Sequence, residues 1–361
     1  MPCKGICAFR TRTKFDGSNA PSALTTSNPR LTMKNTTQYQ RTGTLGGHSA
    51  GVTACRFSVD GKFLCSSSTD RSVIVRETTN GGRVSLLQKT MKENGHTSGI
   101  SDVAWHCTND YICTASDDKS LKVWDVERGE VLLTLGSTWN NTVAESHTRE
   151  VTCVDISPQG HLIGSGSTDM TVRLWDVRTG KCVQTIEAHS EKISSVDFNW
   201  NGSKFVSSSY DGITRLWDTG SGMCLQSMVP PPKSATDDRV FNATAARFSP
   251  NGQYILSGIM DSSIRLWDTN TGNCLRTYTG GHTNEHYAGF SAFCKATGMH
   301  IFVGSENGEV AIYNLHSCDV AQTVPAAHKS PVIALDSHPR KKMFAYGSIE
   351  GLGELHIFSA Q

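Results

Sequence analysis

The chain has 361 residues, with 34 Lys or Arg against 33 Asp or Glu and a net charge of +1. That balance leaves no global field to draw the molecule onto nucleic acid, and no apolar run approaches the ~18 residues of a membrane helix. Twelve cysteines in a chain this long do not make a disulfide scaffold. The close pair Cys3 and Cys7 has no second pair to complete a metal site.

In chain order, residues 1–36 lack periodicity and set six Lys or Arg against Asp16 alone. They are predicted to be a disordered basic tail, with an organelle-targeting or nuclear signal, or a start at Met33, as the alternatives. Tyr39 to Leu45 reads as a strand with no repeat of its own upstream. From residue 46 onward one unit recurs, roughly over 46–81, 95–135, 146–186, 188–228, 240–278, 282–324 and 328–358.

The unit is clearest at 165–189. Thr171 to Trp175 has the β-branched alternation of a strand, with an Asp-led turn before it, a Thr179-Gly180 turn after it, and a further strand from Cys182 to Ile186. Arg76, Trp124, Trp175, Trp217, Trp267, Tyr313 and Phe358 occupy equivalent positions. His48, His96, His147, His189, His282 and His328 mark the entries. A period in the forties, with His near its start and Trp-Asp near its end, is the WD40 pattern of a four-stranded propeller blade. The fold class is therefore all-β, a seven-bladed WD40 propeller over 37–361. It is closed by the Tyr39–Leu45 strand, which supplies the outer strand that the last repeat lacks.

Two connections depart from the minimal length. One is the Gly136 to Ala144 insertion, with Trp139. The other is the Pro230-Pro231-Pro232 entry to the fifth blade. Cys182, Cys224, Cys274 and Cys318 recur a blade apart and are expected as buried small hydrophobes.

Asp70, Asp118, Asp169, Asp211 and Asp261, with the repeated His and Trp residues, look like a store of acid–base chemistry. A catalytic centre needs one special constellation rather than one per repeat. These residues are therefore expected to be structural, each His, Asp and Trp bonded through Ser66, Thr114, Ser165, Ser207 or Ser257. No catalytic residue, metal or cofactor is expected.

Binding then falls to the face around the central channel. It should be lined by Thr53, Ser101, Thr152, Ser194, Thr244 and Phe290, which open the inner strands. Thr69, Asp117, Thr168, Tyr210, Met260 and Glu306, each just before a turn, should join them.

Gly99 to Trp105, Ala115 to Lys119, Val206 to Gly212, Phe248 to Gly252 and Thr277 to Phe290 closely resemble the WD-repeat core subunit of the MLL/COMPASS histone methyltransferases. The resemblance runs from about residue 40 to the end. It implies a non-enzymatic scaffold that holds a methyltransferase subunit through an arginine-containing motif and bears on methylation of the lysine at the fourth position of histone H3. The H3 tail would be a further partner, and neither nucleic acid nor membrane would be bound directly. The setting implied is nuclear, with a cytoplasmic pool.

In that family two phenylalanines sandwich the arginine. Phe290 matches one, and Thr152 stands where the other would be. Ser101, Asp117, Ser194, Tyr210 and Tyr287 match contact residues, whereas Thr53, Thr69 and Thr244 are variants and Ala288 replaces a cysteine. On the opposite face Asn251, Tyr254, Leu266 and Phe293 match the cleft for the retinoblastoma-binding-protein subunit, while Thr168, Lys192, Trp200 and His316 differ. Trp139, on the insertion just before the strand of Thr152, either pins that loop to the blade surface, the reading favoured here, or lends the missing aromatic face. The rival reading is a substrate receptor of a cullin-type ubiquitin ligase, on the strength of Trp175-Asp176-Val177-Arg178.

Overall fold

The computed structural model describes residues 38–78, the backbone of 84–91, and residues 95–136, 146–231, 239–325, 327–350 and 353–360. The basic tail, the insertion with Trp139 and most of the proline-led entry to blade 5 lie outside the described residues.

Among the described residues, 28 strands pair into seven antiparallel sheets of four. Blade 3 shows the plan, running outward through Val151–Ile156, Leu162–Ser167, Thr171–Asp176 and Cys182–Glu187. Its middle strands are buried almost throughout because neighbouring blades cover both faces. The outermost strand alternates buried and exposed, as a strand wet on one side must. The turn into the third strand places Met170 at φ 69°, and Asp169 accepts the Thr171 N–H there (3.0 Å), in the manner of an Asx turn.

The core is a ring of inter-blade layers rather than one centre. Trp175 of blade 3 packs with Val123 and Leu135 of blade 2. Trp217 of blade 4 packs with Leu174 and Ile186 of blade 3. The ring closes where Val52 and Leu64 of blade 1 meet Ala345 and Leu355 of blade 7.

Tyr39–Leu45 pairs antiparallel with Leu355–Ala360, from Tyr39 opposite Ala360 to Leu45 opposite Leu355. Tyr39 anchors it, buried with its ring 5.3 Å from Phe302 and 5.5 Å from Phe344. Closure removes the open edges of the last sheet, so the closing strand read from the sequence is present.

Two expectations are corrected. Blade 1 does not end near residue 81: its outer strand is Val84–Met91, so the long Arg76–His96 interval is filled by a strand after a wide connection. The outer-strand cysteines are not buried hydrophobes. Cys224 is exposed, Cys182 and Cys274 are half-buried, and Cys318 is half-buried in the turn before its outer strand Val320–Val324. Spacing fixed a shared place for the first three but not a depth, because the outermost strand borders solvent.

Candidate functional site

The repeated polar residues form closed networks in three blades. In blade 3, Trp175 Nε1 donates to Ser165 Oγ (2.8 Å), Ser165 donates to His147 Nε2 (2.8 Å), and His147 Nδ1 donates to Asp169 (2.9 Å). The indole can only donate and the carboxylate can only accept, so the order of donors fixes a neutral imidazole protonated on Nδ1. Burial lowers the His147 pKa and outweighs the Asp169 carboxylate that opposes it. For Asp169, burial acts upward, but the bonds from His147 and Thr171 prevail and hold the carboxyl low. His96, Thr114, Asp118 and Trp124 repeat the network in blade 2. His189, Ser207, Asp211 and Trp217 do so in blade 4. These carboxylates are engaged in holding turns and histidines.

The other blades use different groups. In blade 1, Arg76 takes the Trp place and donates to Ser66 (3.2 Å) and the Gly46 carbonyl (2.6 Å). His48 bonds Ser66 and Ser72 (2.8 and 3.0 Å), with Asp70 at 3.5 Å. In blade 5, which lacks the His, Arg265 pairs with Asp261 (3.2 Å) while Trp267 still donates to Ser257 (2.8 Å). In blade 6, His282 Nδ1 meets the Tyr313 hydroxyl (2.7 Å), and its buried Nε2 has no hydrogen-bond partner among the described residues.

In blade 7, His328 is exposed and meets Glu354 at 3.5 Å. His356 lies within metal-ligand reach of both, but the donor set fits a cation poorly. Arg41 donates to His356 Nδ1 (3.0 Å), which places that ring's proton on Nε2 and leaves no free lone pair.

The channel has two ends. At the end where inner strands begin, Thr53, Ser101, Thr152, Ser194 and Thr244 each occupy a β-bulge, which re-aims one side chain out of the pleat. Their hydroxyls link blades. Thr53 donates to Ile100 O (2.7 Å), Thr152 to Ile193 O (2.6 Å), Ser194 to Ala243 O (2.7 Å) and Thr244 to Gly289 O (3.2 Å). Ser101 differs, donating to the exposed Asp117 carboxylate (2.8 Å). Thr152, at the position of the missing aromatic, is thus held by the backbone of the next blade.

Phe290 is half-buried, with the guanidinium carbons of Arg56 and Arg247 each 5.9 Å from its ring centroid. Tyr287 is 39% exposed. Glu306 fixes its loop by accepting the N–H groups of Glu285, His286 and Tyr287. Tyr210 carries Lys192 Nζ 3.8 Å above its ring.

On the opposite face Asn251 is exposed and Tyr254 half-buried. Leu266 and Phe293 depart from the expectation of a partner-facing cleft. Both are 4% exposed and pack with Tyr254, Tyr278 and Tyr313 between blades 5 and 6. Leu266 supports that surface from beneath, and Phe293 also lines the cavity at this end of the channel.

The end where inner strands finish opens into a cavity of about 500 Å³ lined by aromatic and charged side chains. The charged residues there were missed by the sequence reading, although the signal was periodic. Arg56, Asp155, Asp197, Arg247 and Asp336 each occupy the fifth place of an inner strand.

Comparison with known proteins agrees at the level of the domain. A family profile described as the WDR5 β-propeller domain matches residues 44–359. The chain belongs to this family. Propellers of this kind are typically non-catalytic protein-interaction scaffolds, and that coarse role applies here. Shorter likenesses join it to proteins described as ribosome biogenesis protein BOP1 homologs. The one from Anopheles gambiae is 39% identical over 49 residues, and the one from Drosophila grimshawi 44% over 50. Each alignment covers 14% of this chain and 6% of the relative, about the length of one blade.

Proposed function

We propose that the chain is a non-catalytic scaffold subunit of a nuclear histone methyltransferase complex acting on the lysine at the fourth position of histone H3. It would hold an arginine-containing motif at the end of the channel where the inner strands begin. The observation that carries this reading is the arrangement around Phe290. Phe290 is half-buried against the core between blades 6 and 7, with Arg56 and Arg247 of the chain itself each 5.9 Å from its ring. Three residues earlier Tyr287 is exposed on a loop pinned by Glu306, and the Asp117 carboxylate is exposed. Thr152 gives no second aromatic face, so the clamp is one-sided. A cation on one ring contributes about 0.5–2 kcal/mol, and affinity falls by about that amount against a two-ring clamp.

Affinity purification of the tagged full chain with mass spectrometry tests the reading. Methyltransferase subunits should dominate the eluate. Ribosome-assembly factors in their place would favour the process named in the partial relatives, and a cullin adaptor would favour the ligase reading. Either result would overturn the proposal.

A further inference from the structure

Four carboxylates on inner strands each accept a backbone N–H from the inner strand of the next blade. Asp102 accepts from Val154 (3.2 Å), Asp155 from Phe198 (2.7 Å), Asp197 from Phe248 (2.7 Å) and Asp336 from Phe57 (2.9 Å). In three of them a cation holds the other oxygen: Arg56 on Asp102 (3.2 Å), Arg247 on Asp197 (3.1 Å) and Lys295 on Asp336 (2.9 Å). Asp155 is the exception. Among the described residues no Lys, Arg or His forms an ion pair with it, and it lines the cavity of about 500 Å³.

The cavity lining includes Trp200, an indole 67% exposed. Its walls also include the buried Trp105, Ile156 and Phe198 and the half-buried Asp155, which precedes Ile156 on the same strand. Arg56, Arg247 and Lys295 each pair with one of the other carboxylates, although one buried Arg247 nitrogen, Nη2, keeps no hydrogen-bond partner among the described residues. A hard metal ion seeks six or more oxygen ligands, which these aromatic walls do not offer. An organic cation on an aliphatic stem matches this lining, with its apolar stem along the rings and its charge on the carboxylate. The volume falls within the usual range of ligand sites, about 300–1,000 Å³.

We propose that this cavity is a second ligand site, which takes a lysine or arginine side chain of a partner peptide with its charge on Asp155 and its stem against the aromatic wall. The site lies toward the end of the channel opposite the arginine-motif site, and Arg56 and Arg247, which line it, also reach the Phe290 ring. Burial, then the neighbouring Asp197, raises the Asp155 carboxyl above the ordinary carboxylate range, against the Phe198 N–H and the Arg247 guanidinium, which act to lower it. Occupancy therefore increases with pH as that proton is released.

Fluorine NMR of the full chain labelled with 5-fluorotryptophan tests this, the Trp200 resonance being assigned by its loss in Trp200→Phe. The probes are acetyl-Gly-Lys-Gly-amide, its norleucine counterpart, and MgCl2 alone. The lysine peptide should shift Trp200 saturably, with severalfold higher affinity at pH 8 than at pH 6. Asp155→Asn should weaken it at least tenfold, because the amide oxygen still accepts the Phe198 N–H but the charge is gone. Asp155→Glu should retain binding, and Asp117→Asn, at the other end, should leave it unchanged. Equal shifts from the norleucine peptide, an unmoved Trp200, or an unchanged affinity in Asp155→Asn would overturn the proposal. The same response to MgCl2 alone would also overturn it, by assigning the site to an inorganic cation. The lysine–norleucine comparison in the wild type decides the matter even where a variant fails to fold.

Discussion

In blades 2, 3 and 4 an imidazole joins a turn carboxylate to a strand hydroxyl and an indole, and the network leaves none of those four groups without a partner. Blades 5, 6 and 7 replace it piecemeal. An arginine serves in blade 5. In blade 6 a histidine bonds a tyrosine and keeps one buried nitrogen unpaired, and in blade 7 the histidine is exposed. A satisfied buried network resists local opening, whereas an incomplete one leaves a blade dependent on its neighbours. The candidate binding residues Phe290, Tyr287 and Glu306 all belong to blade 6, whose inner strand is only Ser291–Phe293. The regular half of the ring supports the shape and lends Asp117 to the site, while the rebuilt half carries its aromatic loop.

The largest test of this comparison is at blade 7, which leans on the N-terminal strand. Removing residues 1–46 should strip Tyr39 from its buried place against Phe302 and Phe344 and open a sheet edge. A drop in melting temperature of at least about 10 °C is expected, with aggregation. Removing 1–36 alone should leave melting unchanged. Equal melting of the two truncations would remove the closing strand from the account.

Next comes the contrast between histidines. His147→Ala should cost about 1–3 kcal/mol, because Asp169 and Ser165 lose partners inside a buried network. His282→Ala should cost about half as much or less, since His282 bonds only the Tyr313 hydroxyl through its side chain. Urea midpoints measure both, and equal losses would erase the distinction between the two halves.

Seven blades, their order and the closing strand were legible because a blade repeats its own chemistry: each Trp, Asp and His is one of a series in phase. Depth was less legible. Leu266 and Phe293 matched a surface cleft by sequence yet are buried, because a strand residue's exposure depends on the neighbouring blade. Thr152 read as a lost ligand contact, whereas its bulge gives the hydroxyl to the Ile193 carbonyl. The charged ring escaped because attention fell on the conspicuous His-Asp-Trp series rather than on the fifth place of the inner strands.

A smaller effect separates the networks from the channel by pH. Burial holds His48 and His282 down at about 4, below the ordinary histidine value of about 6.5. The unfolded chain therefore takes up protons first, and stability falls as pH drops from about 6.5 towards 4. Asp155 has the opposite sign. Its carboxyl is raised, so its contribution is present at low pH and is lost as pH rises above the ordinary carboxylate range of about 4. Asp155→Asn should therefore stabilise the free protein, by about 1–2 kcal/mol more at pH 8 than at pH 5. Denaturant titrations at the two pH values check both signs, and a loss of stability at pH 8 would show that the carboxylate is compensated from within.

The most direct test of the scaffold reading is a titration of the full chain with an arginine-motif peptide and with the same peptide carrying Ala for Arg, repeated on Thr152→Phe. Measurable binding that depends on the arginine is predicted, and Thr152→Phe should tighten it about two- to thirtyfold by supplying the second ring. Binding indifferent to the arginine, in both proteins, would contradict the claim that the Phe290 end of the channel is a cation-reading site.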